Sequence, residues 1–195
     1  MARILGICGS PHREGNSAFA LRHALEQVEG RHETRYLSLA ELSVLPCTAC
    51  GACAKTGRCP QKDDMNQVYE ALRWCDALVL SSPVFMGMVS SQLKALMDRC
   101  VLLRPDYHKP YELAGKLGLG IACGWFRNGG QEETLHNIHT FFLQMHMLVM
   151  NDGAPYCHAG AAIVGSAADD SLGLETVRAS MRNLEGVLAR QNAFN

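Results

Sequence analysis

Residues 2–17, ARILGICGSPHREGNS, decide the architecture of this 195-residue chain. ARILGIC is a short apolar run that stops at Gly9, the pattern of a strand buried on both faces of a parallel sheet. A polar, glycine-containing segment follows. From Ser17 to about Glu29 the apolar positions Leu21, Ala24, Leu25 and Val28 fall three and four apart, and Gly30 supplies the stop, which predicts a helix. Strand, loop and helix in that order can bind an anion, because backbone N–H groups of the loop and first helical turn point at it and the helix dipole favours negative charge. Ser10, Asn16 and Ser17 can add side-chain donors, while Arg13 and His12 add charge. The alternative is an ordinary strand-to-helix turn in which Asn16 or Ser17 caps the helix.

The same unit recurs along the chain. ETRYLSL (33–39) alternates as a strand nearer the sheet edge does. Asp63 or Asp64 is the expected N-cap of a helix running to about Cys75, with Met65, Val68, Leu72 and Cys75 on one face. ALVLSS (77–82) is a third buried strand, and it runs directly into PVFMGMVSSQLKALMDRC. There Pro83 and Gly87 hold a tight loop, and Ser90 or Ser91 starts a helix whose Leu93, Leu96, Met97 and Val101 face inward. Beyond a polar, proline-containing connection over 104–115, KLGLGIAC (116–123) is the fourth strand, GWFRNGG the third loop, and a long helix covers roughly Gln131 to Met147. A fifth strand is expected within 147–164, and a last helix over about 170–191 with Val177, Met181, Leu184, Val187 and Leu188 on one face.

Alternation of this kind predicts an α/β fold: a doubly wound parallel sheet with right-handed crossovers and helices on both faces, formed by residues 1–195 as a single domain. Ligands of such sheets bind outside the carboxyl ends of the strands. The three unusual loops, 9–17, 82–90 and 124–130, all follow strands and so share one edge, where one ligand touching all three is the economical reading. The first loop lacks the dinucleotide fingerprint G-x-G-x-x-G and the G-K-[ST] ending of a nucleoside-triphosphate loop. A hydroxyl-rich loop without an obligatory lysine suits the phosphate of flavin mononucleotide (FMN), as in flavodoxin-like folds.

A second feature interrupts the connection after the second strand. PCTACGACAKTGRCPQKDD (46–64) places Cys47, Cys50, Cys53 and Cys59 in a C-x2-C-x2-C-x5-C run followed by Pro60. Two successive C-x-x-C steps curl a chain around a small centre, and an excursion containing Gly57 is long enough to return a fourth sulfur. The run resembles the compact pattern of bacterial ferredoxins. With only one such run, Cys59 would complete its own site. Zinc knuckles usually pair two C-x-x-C steps across a longer spacer, so the spacing favours an iron–sulfur cluster over structural zinc or free thiols. Lys55, Arg58 and Lys62 are read as solvated surface or, alternatively, as charges that offset a cluster or dock an acidic donor.

Composition narrows the remaining classes. Hydrophobic residues make up 48% and charged residues 19%, with no long apolar run, which predicts a soluble globular protein with no membrane partner. A net charge of −1 without a basic stripe argues against nucleic acid. The opening MARILGICGSP lacks the form of a signal peptide, and nine cysteines are an odd number, so a reducing cytoplasm is expected. Cys8, Cys75, Cys100, Cys123 and Cys157 are read as mostly small core hydrophobes. His136, His139 and His146 are expected at a surface or interface rather than on a metal. FFLQMHMLVM (141–150) is either core or a subunit interface.

GSPHREGNS, SSPVFMGMVSSQLKALMDR and GWFRNGGQEET together resemble the NADPH-dependent FMN reductase group of the flavodoxin-like superfamily. With CTACGACAKTGRCPQKDDM between the first two, the chain resembles the iron–sulfur flavoprotein branch of that group, densely over 3–135 and beyond that by helix pattern only. The resemblance implies a flavodoxin-like five-stranded sheet of order 2-1-3-4-5 with a cysteine-motif insertion at 46–62. It assigns 10–17, with Ser10, His12, Arg13, Asn16 and Ser17, to the FMN phosphate. It places Pro83, Val84, Phe85, Met86 and Gly87 against the isoalloxazine, and 124–130, with Gly124, Trp125, Asn128 and Gly130, at the ring's other side. Phe85, Trp125 and Phe126 are candidates to flank the ring and Met86 to make a sulfur contact, the alternative being ordinary packing of loop side chains. Cys47, Cys50, Cys53 and Cys59 would hold a [4Fe–4S] cluster. The branch is further implied to form homodimers or homotetramers, with one subunit's cluster near another's flavin. Its members pass electrons between a donor such as ferredoxin or NAD(P)H and a small-molecule or protein acceptor. No nicotinamide site is marked, and Arg127 or Arg13 are the candidates for a 2′-phosphate. No side chain is singled out as catalytic, since the chemistry is the flavin's. Three functions stay open: an FMN and [4Fe–4S] redox protein, an NAD(P)H-dependent flavin or quinone reductase with an empty or zinc-filled cysteine loop, and a flavodoxin-like carrier that is not an enzyme.

Overall fold

A computed structural model describes residues 1–104 and 111–193, so half of the connection expected over 104–115 lies outside the described residues. In order, the elements are β1 (Arg3–Cys8), α1 (Asn16–Glu26), β2 (Glu33–Ser38), α2 (Ala52–Thr56), α3 (Met65–Trp74), β3 (Ala77–Pro83), α4 (Ser91–Arg99), β4 (Leu117–Gly124), α5 (Gln131–Gln144), β5 (Leu148–Val149), β6 (Ala161–Val164) and α6 (Ser171–Ala193). The strands pair in parallel in the order β2-β1-β3-β4-β5, with β6 also on β4. The flavodoxin-like order inferred from the sequence is therefore the order observed.

Alternation along the buried strands divides the core into two layers. Ile4 and Cys8 of β1, Ala77 and Val79 of β3, and Leu117, Leu119 and Ile121 of β4 face one side, where α1 and α6 cover them. Leu5 and Ile7 of β1 and Leu78 and Leu80 of β3 face the other, under α3, α4 and α5. Strand β4 is asymmetric for a packing reason: its second face carries Gly118 and Gly120, and α5 lies directly on them. A Cβ at Gly118 would sit 2.6 Å from the ring of Phe142, and one at Gly120 would sit 3.2 Å from both Ile138 and Leu135. Small residues on the strand let the helix bring large ones down onto it.

The fifth sheet position differs in detail from a single strand. β5 pairs with Leu117–Gly118 and β6 with Ile121–Gly124, so two short segments share one side of β4. Between them Gly153 and Pro155 break the ladder, since proline has no N–H to give it. The chain re-enters through Gly160, where a Cβ would lie 2.8 Å from the Gly120 carbonyl oxygen. The apolar stretch 141–150 is core in part: Phe141, Phe142, Met145, Met147 and Met150 are buried, while Leu143, Leu148 and Val149 are exposed.

Local expectations are narrowed at some positions and corrected at others. Neither Asn16 nor Ser17 caps α1: Gly15 holds that position and no side chain closes the turn. Ser90, not Ser91, caps α4, its Oγ accepting from Leu93 N–H at 3.1 Å. Val101 is exposed because the helix has given way to a tighter 3₁₀ turn by that point, which rotates it off the buried face. Asp64 stands at the N-cap of α3 without capping it, its carboxylate accepting instead from Ser43 N–H at 2.7 Å. Cys8, Cys75, Cys100 and Cys123 are buried as expected, whereas Cys157 is exposed.

Candidate functional site

The first loop leaves β1 at Gly9, whose N–H donates to the Ser81 carbonyl at 2.7 Å. A Cβ there would lie 2.8 Å from Cβ of Leu93, so β1 and the start of α4 meet through a glycine. The buried Ser90 hydroxyl donates to the Gly9 carbonyl while accepting from Leu93 N–H, which ties the first loop to the second. Ser10 and Ser17 are buried at the floor; Ser10 Oγ accepts from His12 N–H at 3.1 Å, and the Ser17 carbonyl accepts from Ser81 Oγ at 2.9 Å. His12 and Arg13 are exposed, with Arg13 3.6 Å from Glu41. No acidic residue occupies the first turn of α1, and no side chain caps it, so that turn keeps its attraction for an anion.

Asn16 occupies a different position from that expected of a free phosphate donor. Its Nδ2 donates to the Gly165 carbonyl at 2.8 Å and its Oδ1 accepts from Ala167 N–H at 2.8 Å. It thereby fastens the first loop to the turn after β6, a fourth loop on the same edge that the sequence reading left out. Asp170 orders that turn by accepting from Val164 and Gly173 N–H groups at 2.8 and 2.9 Å.

The second loop is a hairpin. Phe85 and Met88 exchange backbone hydrogen bonds of 2.9 and 3.0 Å, and between them Met86 and Gly87 take φ of 52° and 75°. Positive φ at both central residues is the requirement of a type I′ turn, unusual for methionine and strained by about 1–2 kcal/mol. Met86 is 99% exposed at the tip, so the fold gains nothing from its side chain. Pro83 and Val84 are half-buried at the end of β3, where Val84 N–H donates to the Cys123 carbonyl at 2.9 Å.

Gly124 opens the third loop, and Trp125, Phe126 and Asn128 are exposed on it, Asn128 with φ of 58°. Gln131, absent from the sequence-derived site, organises it from beneath: the buried amide donates to the Phe126 carbonyl at 2.8 Å and accepts from Gly129 N–H at 3.0 Å. Only its place just after the glycine pair hinted at such a role. Gly130 packs on the second loop so closely that a Cβ would lie 2.8 Å from Cα of Gly87. The two loops thus set one another's height and together expose Phe85, Met86, Met88, Trp125 and Phe126.

The cysteine insertion is latched at its base. Ser43 and Asp64 exchange bonds of 2.7 and 2.9 Å, Leu45 N–H donates to Asp63 at 2.9 Å, and Gln61 Nε2 donates to the Pro46 carbonyl at 3.1 Å. Within it Ala49, Gly51 and Gly57 have positive φ, bending the chain around the short α2. Cys47, Cys50, Cys53 and Cys59 all open onto one cavity of about 420 Å³. The Cys50 thiol is pulled below its usual pKa by the Ala52 N–H and then by Thr48. Among the described residues, no three His, Cys, Asp or Glu side chains converge closely enough to form a metal site. Arg99 also lines the cavity, as does Tyr69; its guanidinium grips Asp63 at 2.7 and 3.1 Å, with both side chains only 2% exposed. Lys55, Arg58 and Lys62 are exposed and do not line the cavity.

His136 and His146 are exposed and His139 is half-buried, with its pKa lowered by burial and then by His136. No helix among the described residues is long and apolar enough to cross a membrane.

The sequence profile of the NADPH-dependent FMN reductase family matches residues 2–162. An iron–sulfur flavoprotein of Methanocaldococcus jannaschii is 41% identical over 90% of this chain and 92% of its own. Another, from Methanosarcina thermophila, is 38% identical over 95% of both. Among solved structures, an NAD(P)H:quinone oxidoreductase from Methanothermobacter marburgensis superposes with a TM-score of 0.70 at 15% identity, over 94% of this chain and 97% of that one, a likeness of fold. The function that follows is FMN-dependent redox chemistry by a flavin-dependent oxidoreductase. Loop architecture, family profile and relatives aligned over nearly the whole chain agree, and the chain belongs to the iron–sulfur flavoprotein branch of the NADPH-dependent FMN reductase family.

Proposed function

We propose that the chain, acting as one FMN-binding domain, carries FMN on loops 9–17, 82–90 and 124–130 and a [4Fe–4S] cluster on Cys47, Cys50, Cys53 and Cys59. It would pass electrons between a donor, ferredoxin or NAD(P)H, and a small-molecule or protein acceptor. One observation carries this beyond the family: all four cysteines of the run open onto a single cavity, whose lining includes no residue of the three loops. The fit lies in the donor set: four thiols line one cavity, the Cys50 thiolate is favoured by a backbone N–H, and the loop is closed at its base.

Bound FMN would supply one- and two-electron chemistry and the cluster one-electron chemistry, so that together they couple unlike partners. The chain's own residues do the positioning. Ser10, Ser17 and the uncapped first turn of α1 form an anion seat, Arg13 and His12 stand at its mouth, and Asn16 holds that seat against the Gly165 turn. Pro83, Val84, Phe85, Met86 and Gly87 on one side and Gly124, Trp125, Asn128 and Gly130 on the other would bracket the flavin ring. Their aromatic surface, exposed here, would be covered in a homodimer or homotetramer.

The test is purification without oxygen, with iron, acid-labile sulfide and FMN counted on one sample. About four iron and four sulfide per chain beside FMN, with Cys53→Ser losing the cluster absorbance and keeping the flavin, is the expected result. Flavin without iron would leave a reductase with an empty or zinc-filled loop, and absence of flavin after reconstitution would overturn the assignment of the three loops.

A further inference from the structure

We propose that Arg99 is the counter-charge built into the cysteine cavity, positioned to stabilise the reduced, more negative form of the centre held there. The inference rests on the cluster reading above and deepens it. Four thiolates around a cubane of iron and sulfide carry net negative charge that grows by one on reduction, so a nearby cation favours the reduced state.

Three observations single out this arginine. It lines the same cavity as all four cysteines, while its partner Asp63 does not. Its side chain is 2% exposed, whereas Lys55, Arg58 and Lys62, the cations of the insertion itself, are all exposed. A buried charge acts through low dielectric and escapes most salt screening, which surface lysines do not. Finally, its hydrogen bonding is incomplete. The guanidinium gives N–H groups to Asp63 and to the Leu45 carbonyl at 2.9 Å, yet Nε is buried with no partner. A buried donor left without an acceptor costs about 1–3 kcal/mol, and a sulfur acceptor in the cavity would remove that cost. Among the described residues, Asp98 is the one carboxylate lining the cavity, but it is exposed and paired with Lys94 at 2.5 Å.

The role is one of positioning and charge, so it is read by potential rather than turnover. Protein purified without oxygen is titrated with dithionite and mediators, the reduced cluster being followed by electron paramagnetic resonance and FMN content reporting the fold. Asp63→Asn keeps the cation and removes its partner's charge; the cluster's redox equilibrium should move at least tenfold toward the reduced form, about 59 mV for one electron. Asp63→Asn with Arg99→Gln replaces the ion pair by two neutral amides and should move it at least tenfold the other way. If both variants keep about four iron and stay within twofold of the unaltered protein, the assignment of Arg99 is overturned while the cluster reading stands. If the double variant loses its iron, Asp63→Asn alone decides by the same limits. Unaltered protein that never holds iron overturns both.

Discussion

At the scale of single residues, the functional positions are those where local preference yields to the site. Met86 is the sharpest case: an L-residue at φ 52°, fully exposed, at the tip of a turn that favours glycine. Met86→Gly removes about 1–2 kcal/mol of left-handed strain and adds about 0.5–1 kcal/mol of unfolded-state entropy, so urea unfolding should show a gain of about 0.5 kcal/mol. FMN affinity measured on the same variant should fall, because the side chain proposed to bear on the flavin is gone; unchanged affinity would take Met86 off the ring. Asp63 gives a pH signature. Burial alone would raise its carboxyl pKa, but the Arg99 guanidinium, then the Leu45 and Met65 N–H groups, hold it below the usual carboxylate range. A depressed folded pKa means that the stabilisation is fully present above the unfolded value of about 3.9 and disappears as pH falls through the lower folded value. Stability followed from pH 6 to 2 should therefore drop more steeply below about pH 4 in the unaltered protein than in Asp63→Asn; parallel curves would deny the linkage. The pairing was not legible in the sequence, where Asp63 reads as a helix cap and nothing marks Arg99. The signal is a contact between residues 36 positions apart.

At the scale of elements, β4 and α5 show what pattern can and cannot reveal. KLGLGIAC is plainly a buried strand, and a long helix from about Gln131 is plain as well, but their fit depends on pairing Gly118 with Phe142 across the interface. Gly118→Ala should destabilise the fold by about 1–3 kcal/mol through overpacking, and adding Phe142→Leu should recover part of that loss in denaturant melts. Equal losses for single and double variants would show that the helix shifts without resistance. Ser90 is the matching case at a helix start. Ser90→Ala removes an N-cap worth about 1 kcal/mol and strands the buried Gly9 carbonyl for about 1–3 more, so a loss of about 2–4 kcal/mol is expected, above that of an ordinary cap. Serine before a helix was visible in the sequence; that its hydroxyl also stitches the first loop to the second was not. The same limit hid Gln131 and the Gly165 turn. Both act through bonds to backbone groups, which leave no periodic trace.

At the scale of the whole molecule, the strand order was readable because alternating strand and helix admit few topologies, whereas the split fifth position was not, since a two-residue strand leaves too short a pattern. That topology has a thermodynamic consequence. β1, β3 and β4 stand side by side at the middle of the sheet, and the three loops proposed for FMN are their continuations. A ligand spanning all three can be held only when the central strands are in register, so it should bind the folded chain and not the unfolded one. FMN-free protein given free FMN at about 100 times Kd should then gain about 2.7 kcal/mol, which for a chain of this size raises Tm by about 5–10 °C. Gly130→Ala provides the control within the same measurement. A Cβ there forces the third loop off Gly87 without touching β1 or the phosphate seat, so at the same FMN concentration the rise in Tm should shrink to less than half. A full rise in that variant would mean that the flavin ring does not need the second and third loops at one height; no rise in the unaltered protein would mean that FMN does not bridge the strands at all.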